Sequence, residues 1–527
     1  MSKRHRRFTC FMVCFLAVGV ASADVAMSPI FSNDMVLQRD RKLPVWGTAD
    51  PGEAVSITAA GQTKKTQADN QGHWMVHLDP LKAGGPFTVT VKGKNTLRFE
   101  NVLAGDVWLC GGQSNMAMRV QASMNWPQEL AASEHPNIRL FRVTNRTAPK
   151  PTKALSGRWY VCGKKTVANF TAVGYFFGRK LHKELNVPIG LIHSNWGGTP
   201  ARSWTSRKAM EADPAFKKAI IDPADKALVG YDAKKKAFDA VRARWLKEFR
   251  KARAEKRKPP RRPRAPYGPD SAGYPAVLYN AMIHPLIPYG IKGALWYQGE
   301  ADAGRWQQYR RLLPAMIRCW RDEWGQGPFP FYIVQLANFM SVKPQPAPSS
   351  WAALRESQML TATNVPHCGI ACIIDLGETR DIHPKNKQDV GKRLARVALA
   401  KTYGKDVVYS GPVFDAMKVE GATVRVTFKH VGGGLVTRTS DMPSASNYAK
   451  ADYKLTFGDG PVKGFAVAGA DKKFVWAEAK LEGNVVVLSA KEVTHPVAVR
   501  YAWADNPVCN LYNREGLPAV PFRTDDW

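Results

Sequence analysis

A short block around Ser114 has the composition of a nucleophile turn. Residues 111–116 read Gly-Gly-Gln-Ser-Asn-Met and follow a strand predicted at 107–109. In an open α/β sheet, reactive groups lie at the carboxyl ends of the strands. The two glycines let the chain turn sharply, so a serine at the start of the next helix exposes its hydroxyl and its own N–H. Taken alone, the block is also compatible with a plain turn or helix-cap serine.

A histidine that could act as the base follows a later strand. Residues 377–384 read Gly-Glu-Thr-Arg-Asp-Ile-His-Pro. A serine nucleophile needs a base that titrates near neutrality and a carboxylate that holds the tautomer of that base. His383 with Asp381 supplies both, and Glu300 is the alternative carboxylate. His284 is the competing histidine, but its surroundings are typical of packing at a helix start.

Two further strand ends could stabilise a developing oxyanion. Residues 195–199 read Asn-Trp-Gly-Gly-Thr, and the backbone N–H groups of Gly197 and Gly198 could face an anion. An ordinary tight turn explains this glycine pair equally well. Residues 298–302 read Gln-Gly-Glu-Ala-Asp, in which Gln298 could donate from its side-chain amide.

The elements that must position these residues alternate between strand and helix from residue 104 to residue 405. Such alternation predicts a parallel sheet with helices on both faces, interrupted by an insertion at about 208–270. Residues 24–103 and 406–527 have short alternating apolar stretches and turn residues, which predict an N-terminal β-sandwich and a C-terminal β domain. Helices are predicted at 172–185, 306–320 and 387–403, and strands at 187–193, 292–297, 331–336 and 368–376.

The first 23 residues read as a secretory signal peptide. Basic residues precede an apolar run at 8–20, and Ala-Ser-Ala at 21–23 supplies the small residues of a cleavage site. The run is too short to span a bilayer, and no later run is long enough. The mature chain is therefore expected to be secreted, to a periplasm or outside the cell, without a transmembrane segment. Its six cysteines are too irregularly spaced for a disulfide scaffold or a zinc site.

Much of the net charge of +32 is local. Residues 233–264 contain fifteen Lys or Arg and only three acidic residues. A solvated helical insertion followed by a Pro-rich linker explains this segment, and adhesion to an anionic polymer or membrane surface is the functional alternative. Because no nucleic-acid-binding motif accompanies the charge, a nucleic-acid partner is not expected.

Taken together, the blocks resemble those of the SGNH (GDSL-like) hydrolase superfamily, and in particular the sialate O-acetylesterase family. The resemblance extends over nearly the whole mature chain. Beyond the Ser114 turn it rests on Asp-Met-Val-Leu-Gln-Arg at 34–39, Gly-Asp-Val-Trp-Leu at 105–109, Gly-Thr-Pro-Ala at 198–201, Leu-Tyr-Asn-Ala-Met at 278–282, Trp-Tyr-Gln-Gly-Glu at 296–300, Arg-Tyr-Ala-Trp at 500–503 and Gly-Leu-Pro at 516–518.

The resemblance implies an α/β protein with a three-layer α/β/α flavodoxin-like catalytic domain and accessory β-sandwich regions at both ends. It also implies acetyl-ester hydrolysis without a metal or cofactor. Ser114 matches the family nucleophile and His383 the base, while the Ser114 N–H and the Gly197–Gly198 turn would line the oxyanion hole. The usual third-block Asn of the superfamily is absent, so the role of Gln298 stays open.

The carboxylate of the triad also departs from the usual pattern. The superfamily places its acid three residues before the histidine, where this chain has Arg380, and Asp381 is one residue further on. Related acetylxylan esterases use a Glu in a block that resembles 298–300. Asp381 is the preferred acid and Glu300 the alternative.

These features predict a secreted carbohydrate esterase that removes O-acetyl groups from a sugar by ping-pong acyl transfer, most closely like a sialate 9-O-acetylesterase. Another acetylated glycan, such as xylan, pectin or an algal polysaccharide, is an alternative substrate for the same machinery. A non-catalytic carbohydrate-binding protein is the alternative from a different class.

Overall fold

The N-terminal region is built from short antiparallel strands. A computed structural model describes residues 24–440, 455–458 and 460–527, so the predicted signal peptide lies outside the described residues. Alternating buried and exposed side chains, as in β6, give these strands one core face and one solvent face. The strands are β1 (Ala26–Met27), β2 (Val36–Gln38), β3 (Leu43–Thr48), β4 (Ala54–Ala59), β5 (Gln62–Gln67), β6 (His73–Leu78), β7 (Gly84–Lys92) and β8 (Thr96–Gly112).

Strand β8 belongs to two parts of the molecule at once. Its first half pairs with β7, and residues 103–105 pair with β2. Its second half, which is buried, is the central strand of the following α/β sheet. The predicted boundary between residues 103 and 104 therefore falls inside one continuous strand of 17 residues.

The central sheet carries the strands that end at the candidate site. In the order β10-β9-β11-β8-β12-β13-β14, all neighbours are parallel except the antiparallel edge pair β10 and β9. The carboxyl ends of β8, β11 and β12 consequently lie side by side. The added strands are β9 (His135–Arg142), β10 (Trp159–Cys162), β11 (Ile189–Asn195), β12 (Gly293–Tyr297), β13 (Phe331–Val334) and β14 (Cys368–Ala371).

The described chain has eleven α-helices, which connect these strands or lie in the insertions between them. They are α1 (Ser114–Ala117), α2 (Trp126–Ala131), α3 (Lys164–Val167), α4 (Ala172–Leu185), α5 (Arg207–Glu211), α6 (Pro214–Phe216), α7 (Asp222–Ala227), α8 (Tyr231–Ala254), α9 (Trp306–Trp324), α10 (Ser350–Asn364) and α11 (Lys387–Lys401). None of the described helices is both long and apolar enough to cross a membrane.

Alternate side chains of the buried strands face two separate cores. Trp108 of β8 and Leu295 of β12 pack with residues of α4 and α11, whereas Leu109 and Trp296 pack with residues of α9. This period-2 division, in strands that are apolar on both faces, places helices on both sides of the sheet. The predicted three-layer α/β/α fold is confirmed.

The C-terminal region adds antiparallel strands in three small sheets. Its strands are β15 (Val413–Glu420), β16 (Thr423–Lys429), β17 (Leu435–Arg438), β18 (Phe457–Gly458), β19 (Phe465–Ala468), β20 (Phe474–Trp476), β21 (Glu478–Glu482), β22 (Val485–Ser489), β23 (Ala498–Tyr501), β24 (Leu511–Asn513) and β25 (Phe522–Arg523). Their core includes Cys372 and Ile374, which follow β14, so this region packs directly against the catalytic sheet.

Most predicted elements are present with small differences at their ends. Helix α4 has the predicted bounds, and α9 continues four residues beyond its predicted end. Strand β14 is shorter than predicted, because residues 372–376 leave the sheet before the His383 loop. The six cysteines of the described chain are buried and free, including Cys368 and Cys372.

A buried ion pair joins α11 to the C-terminal region. Arg393 donates to both carboxylate oxygens of Asp375 at 2.6 and 2.7 Å, and the Tyr512 hydroxyl donates to the same carboxylate at 2.9 Å. Asp375 is 1% exposed, so its charge depends on these partners for compensation.

Replacing Arg393 with Met should lower the free energy of unfolding by about 3–5 kcal/mol, because the Asp375 charge would stay buried without its cation. Urea unfolding followed by circular dichroism measures this loss. The control is Lys392→Met, which removes a neighbouring exposed cation and should cost at most about 1 kcal/mol. Equal losses in the two variants would contradict the assigned role of the buried pair.

Candidate active site

The serine turn is set by the close approach of two strands. Gly112, the last residue of β8, has φ +137°, and a Cβ atom there would lie 2.2 Å from the Tyr297 carbonyl oxygen. Only glycine fits this position without strain. The next residue donates its backbone N–H to the same carbonyl, and the chain then enters α1 at Ser114. The turn thereby leaves Ser114 partly exposed at the carboxyl end of the central strand.

The structure brings His383 directly to this serine. The distance from His383 Nε2 to Ser114 Oγ is 2.8 Å, although the two residues are 269 positions apart in sequence. His383 lies on the loop between β14 and α11 and is partly exposed. With the proton on Nδ1, Nε2 can accept a hydrogen bond from the serine hydroxyl and take its proton.

Of the two candidate carboxylates, Asp381 lies next to the histidine. Its Oδ1 is 3.5 Å from His383 Nδ1 and accepts a 2.9 Å hydrogen bond from the His383 backbone N–H. The Asp381 side chain is 46% exposed. Its distance to Nδ1 is longer than a standard hydrogen bond. The bond from the His383 backbone N–H nevertheless holds the carboxylate beside the histidine, on the base loop (residues 372–386).

Glu300 instead contacts Asn115, the residue after Ser114. Its Oε1 accepts a 2.6 Å hydrogen bond from Asn115 Nδ2. The second oxygen, Oε2, is shielded from solvent and has no hydrogen-bond partner among the residues that the structure describes. Burial raises the pKa of Glu300, and the Asn115 bond partly opposes this shift.

The Asn115 side chain connects four parts of the site. Besides Glu300, its amide donates to the Ile382 carbonyl at 2.9 Å, and its Oδ1 accepts from Lys387 Nζ at 2.6 Å. Ile382 lies between Asp381 and His383, so this bond fixes the base loop to the nucleophile turn. Asn115 has no amide hydrogen left for another acceptor.

Lys387 is a fully buried lysine at the start of α11. Burial lowers its pKa to about 7, although Glu300 and other nearby carboxylates favour the charged form. Its ammonium also lies 5.2 Å from the centre of the Tyr297 ring, within the range of a cation–π contact. Burial thus shifts the pKa of both Lys387 and Glu300 toward the neutral form, and the attraction between the two charges opposes that shift.

The glycine turn after β11 lies against the nucleophile. A Cβ atom on Gly197 would be 3.3 Å from Ser114 Cβ, so the two backbones are close. The Trp196 N–H donates to the Gly112 carbonyl, which joins this turn to the serine turn. Within the described chain, neither the Gly197 nor the Gly198 amide donates to a backbone acceptor.

Gln298 has a different environment. Its amide nitrogen donates to Asp302 at 2.7 Å and to the Thr199 carbonyl at 3.2 Å, and the side chain is fully buried. Both amide hydrogens are therefore occupied in holding the glycine turn and the β12 end together. In this geometry Gln298 links the glycine turn to Asp302 and has no N–H group free to donate to an oxyanion.

Several contributing residues were not found from sequence. Asn115 is part of the serine block, but its pattern gave no reason to expect three partners. The burial of Lys387 could not be predicted from the sequence, because a lysine at the start of a helix is normally exposed to solvent. His284, the competing base, bonds the Thr152 carbonyl through Nδ1, as expected for a packing role.

A cavity of about 800 Å³ opens beside the base loop. Its volume lies in the range of small-molecule sites. The wall combines the base loop with residues of the C-terminal region, so both parts of the chain would contact a bound molecule. It includes Glu378, Arg380, Asp381, Lys385, Arg438 and Asn506. Among the residues that the structure describes, no group of three or more His, Cys, Asp or Glu is placed to hold a metal.

The lowered pKa of Lys387 predicts a pH-dependent contribution to stability. Between about pH 7 and pH 10.5 the unfolded chain binds this proton more fully than the folded chain, so the free energy of unfolding should rise with pH in that window. Replacing Lys387 with Met should reduce this rise by up to about 1.4 kcal/mol per pH unit. Urea unfolding at pH 7, 8 and 9 measures the slope.

Lys385→Met provides the control, because Lys385 is exposed and two positions away. It should keep the slope of the unchanged protein. A Lys387→Met variant with that same slope would show that Lys387 titrates normally in the folded chain.

Comparison with known proteins identifies the family of this chain. The sequence profile of the family described as carbohydrate esterase, sialic acid-specific acetylesterase matches residues 104–229 and 271–400. Sialate O-acetylesterases of Homo sapiens and Pongo abelii are 31% and 30% identical, each over 93% of this chain and 91% of their own length. A crystal structure of a carbohydrate acetylesterase from Xanthomonas citri is 35% identical with a TM-score of 0.78, covering 95% of this chain and all of the other. This chain therefore belongs to the sialate O-acetylesterase family and is a carboxylic-ester hydrolase acting on carbohydrates.

Proposed function

We propose that the protein hydrolyses O-acetyl esters on sialic acid, with Ser114 as nucleophile, His383 as base and Asp381 as the carboxylate that orients it. The 2.8 Å contact between His383 Nε2 and Ser114 Oγ carries this proposal. A serine and a histidine in hydrogen-bond contact at the carboxyl ends of sheet strands have the geometry of an activated nucleophile.

In the first half of the reaction, Ser114 Oγ attacks the acetyl carbonyl carbon while His383 Nε2 takes its proton. The carbonyl oxygen becomes an oxyanion. Its donors would be the N–H of Ser114, which has no acceptor within its own helix, and the amides of the Gly197–Gly198 turn. The tetrahedral intermediate then collapses, and His383 returns the proton to the sugar oxygen as the C–O bond breaks.

In the second half, a water molecule attacks the acetyl group on Ser114, and His383 accepts a proton from that water. Collapse of this intermediate breaks the bond to Ser114 Oγ, which recovers its proton from His383, and acetate leaves. The two halves together consume one water and yield one sugar hydroxyl and one acetic acid, which ionises to acetate and a proton. Asp381 near Nδ1 would stabilise the imidazolium that forms twice in each cycle.

The two carboxylates then have different tasks. Asp381 acts on the base itself. Glu300 acts through Asn115, because its hydrogen bond goes to that amide. Glu300 is therefore proposed as a positioning residue for the nucleophile turn and the base loop.

We also propose that the protein is secreted after cleavage before Asp24. The basic, apolar and small-residue pattern of residues 1–23 supports this. Sequencing the amino terminus of the protein purified from its native cells tests it, and an intact Met1 there would contradict it.

Replacing Ser114 with Ala should abolish acetate release from 9-O-acetylated sialic acid, because no other group can form the acetyl-enzyme. Labelling by a fluorophosphonate should disappear in the same variant. Circular dichroism should stay unchanged, and Ser156→Ala, which alters an exposed serine, should keep full activity. Retained turnover or labelling in Ser114→Ala would overturn the nucleophile assignment.

The same assay with acetylated xylan decides between the substrate classes. Faster acetate release from xylan than from 9-O-acetylated sialic acid would overturn the sialate proposal and leave the triad intact. The similar structure from Xanthomonas citri, at 35% identity, is described as a carbohydrate acetylesterase without reference to sialic acid, which is the reason to test a second acetylated carbohydrate.

Asp381→Asn should lower kcat by about a hundredfold or more with little change in KM, because the imidazolium loses its neighbouring charge and the tautomer is no longer held. Glu300→Gln keeps one acceptor oxygen for Asn115 and should lower kcat less. Steady-state kinetics with p-nitrophenyl acetate measures both. A larger loss in Glu300→Gln than in Asp381→Asn would exchange the two assigned roles.

A further inference from the structure

A projecting arm at residues 231–267 has no part in the catalytic geometry described above. It consists of helix α8 followed by a Pro-rich return segment at 256–267. The family profile matches the chain on either side, at 104–229 and from 271 onward, but not this stretch. The arm is therefore an addition to the catalytic unit that the profile describes.

The return segment runs back along the helix. The Trp245 indole donates to the Pro260 carbonyl at 3.0 Å, and Trp245 also contacts the Phe249 ring. At the base, Gly268 closely approaches the ring of Tyr231. A helix of 24 residues is about 36 Å long, and twelve residues in an extended proline-rich conformation cover about 37 Å. Helix α8 and the return segment therefore match in length, and together they form an ordered hairpin.

Nearly all of the positive charge on this arm faces solvent. Of the fifteen Lys and Arg at 233–264, every one except Lys235 is exposed. Only Lys235 and Arg257 form ion pairs among the described residues. The other cations are therefore not neutralised by the protein, and an ordered arm presents them at little cost in conformational entropy.

The base of the arm is linked through Gly273 to the segment that follows the glycine turn, because the Tyr267 hydroxyl donates to the Gly273 carbonyl at 3.5 Å. Arg202 Nε donates to the Gly273 carbonyl at 3.3 Å, and the Ala276 N–H donates to the Arg202 carbonyl at 3.0 Å. Arg202 follows Gly197 and Gly198 by only a few residues. The arm is consequently joined to the segment that follows the glycine turn, so a long polymer bound along it would be held on the same catalytic unit as Ser114.

We propose that this arm binds an acidic polysaccharide and holds it near the active site. Trp245 and Phe249 of α8 are partly buried, Trp245 is bonded to the return segment, and the exposed positions of the helix are mostly charged, so the helix lacks the wide free apolar face that insertion into a membrane needs. The proposal takes the carbohydrate nature of the polymer from the proposed function. The binding itself follows from the charge and order of the arm.

The test uses full-length protein carrying Ser114→Ala, so that binding is separated from hydrolysis. Polygalacturonate without acetyl groups is the probe, neutral dextran is the uncharged comparison, and affinity electrophoresis gives the dissociation constant. Binding to polygalacturonate should weaken steeply as salt increases, because each neutralised carboxylate releases a counterion. Dextran should not bind.

Charge reversal at five exposed lysines of the arm should weaken polygalacturonate binding by about tenfold or more. A second variant reverses five exposed lysines elsewhere, has the same net charge, and should change the affinity by less than about twofold. The arm variant is K236E/K247E/K251E/K256E/K258E, and the matched control is K65E/K150E/K165E/K183E/K480E.

Equal loss in both variants, or no loss in the arm variant, would overturn the proposal. Tighter binding of double-stranded DNA than of polygalacturonate at the same salt would also overturn it, in favour of a nucleic-acid surface. With Ser114 restored, turnover of p-nitrophenyl acetate should be the same in both variants, which checks that the catalytic unit is intact. Failure of the esterase proposal would leave the polygalacturonate result unaffected.

Discussion

The side chain of Asn115 is the interaction on which the geometry of the site depends. It lies one residue after the nucleophile and bonds to Glu300, to the Ile382 carbonyl and to Lys387. Each partner comes from a different element, so one amide fixes the serine turn, the end of β12 and the base loop relative to each other. Because Lys387 is buried, Glu300 and Ile382 are partly buried and two of the three are ionisable, losing the amide would leave polar groups without compensation.

The sheet, its flanking helices and the proximity of Ser114 and His383 could be predicted from the sequence for a physical reason. Buried parallel strands require apolar runs, and surface helices require 3.6-residue periodicity, so both leave a local pattern. Helix α4 illustrates this, since its apolar stripe gave its bounds directly. Ser114 and His383 were identified because both follow strands whose carboxyl ends meet at one edge of the sheet.

Other features depend on distant contacts that leave no local pattern. Lys387 is buried because Asn115 and Tyr297 surround it, although a lysine at a helix start normally faces water. Gln298 was expected as an oxyanion donor, but its amide is occupied by Asp302 and the Thr199 carbonyl. The continuity of β8 was also missed, because the change from alternating to fully apolar sequence resembles a boundary between domains.

That continuity has a consequence for the order in which the chain can fold during synthesis. The first half of β8 finds its partner, β7, among residues already made. The second half must wait for β11 at Ile189–Asn195 and β12 at Gly293–Tyr297. An apolar strand is thus anchored at one end and unpaired along the other until Asn195 has been made, and it lacks its second neighbour until Tyr297 has been made. The nascent chain carries an exposed edge that attracts other strands, so its production should depend on chaperones more than its final stability suggests.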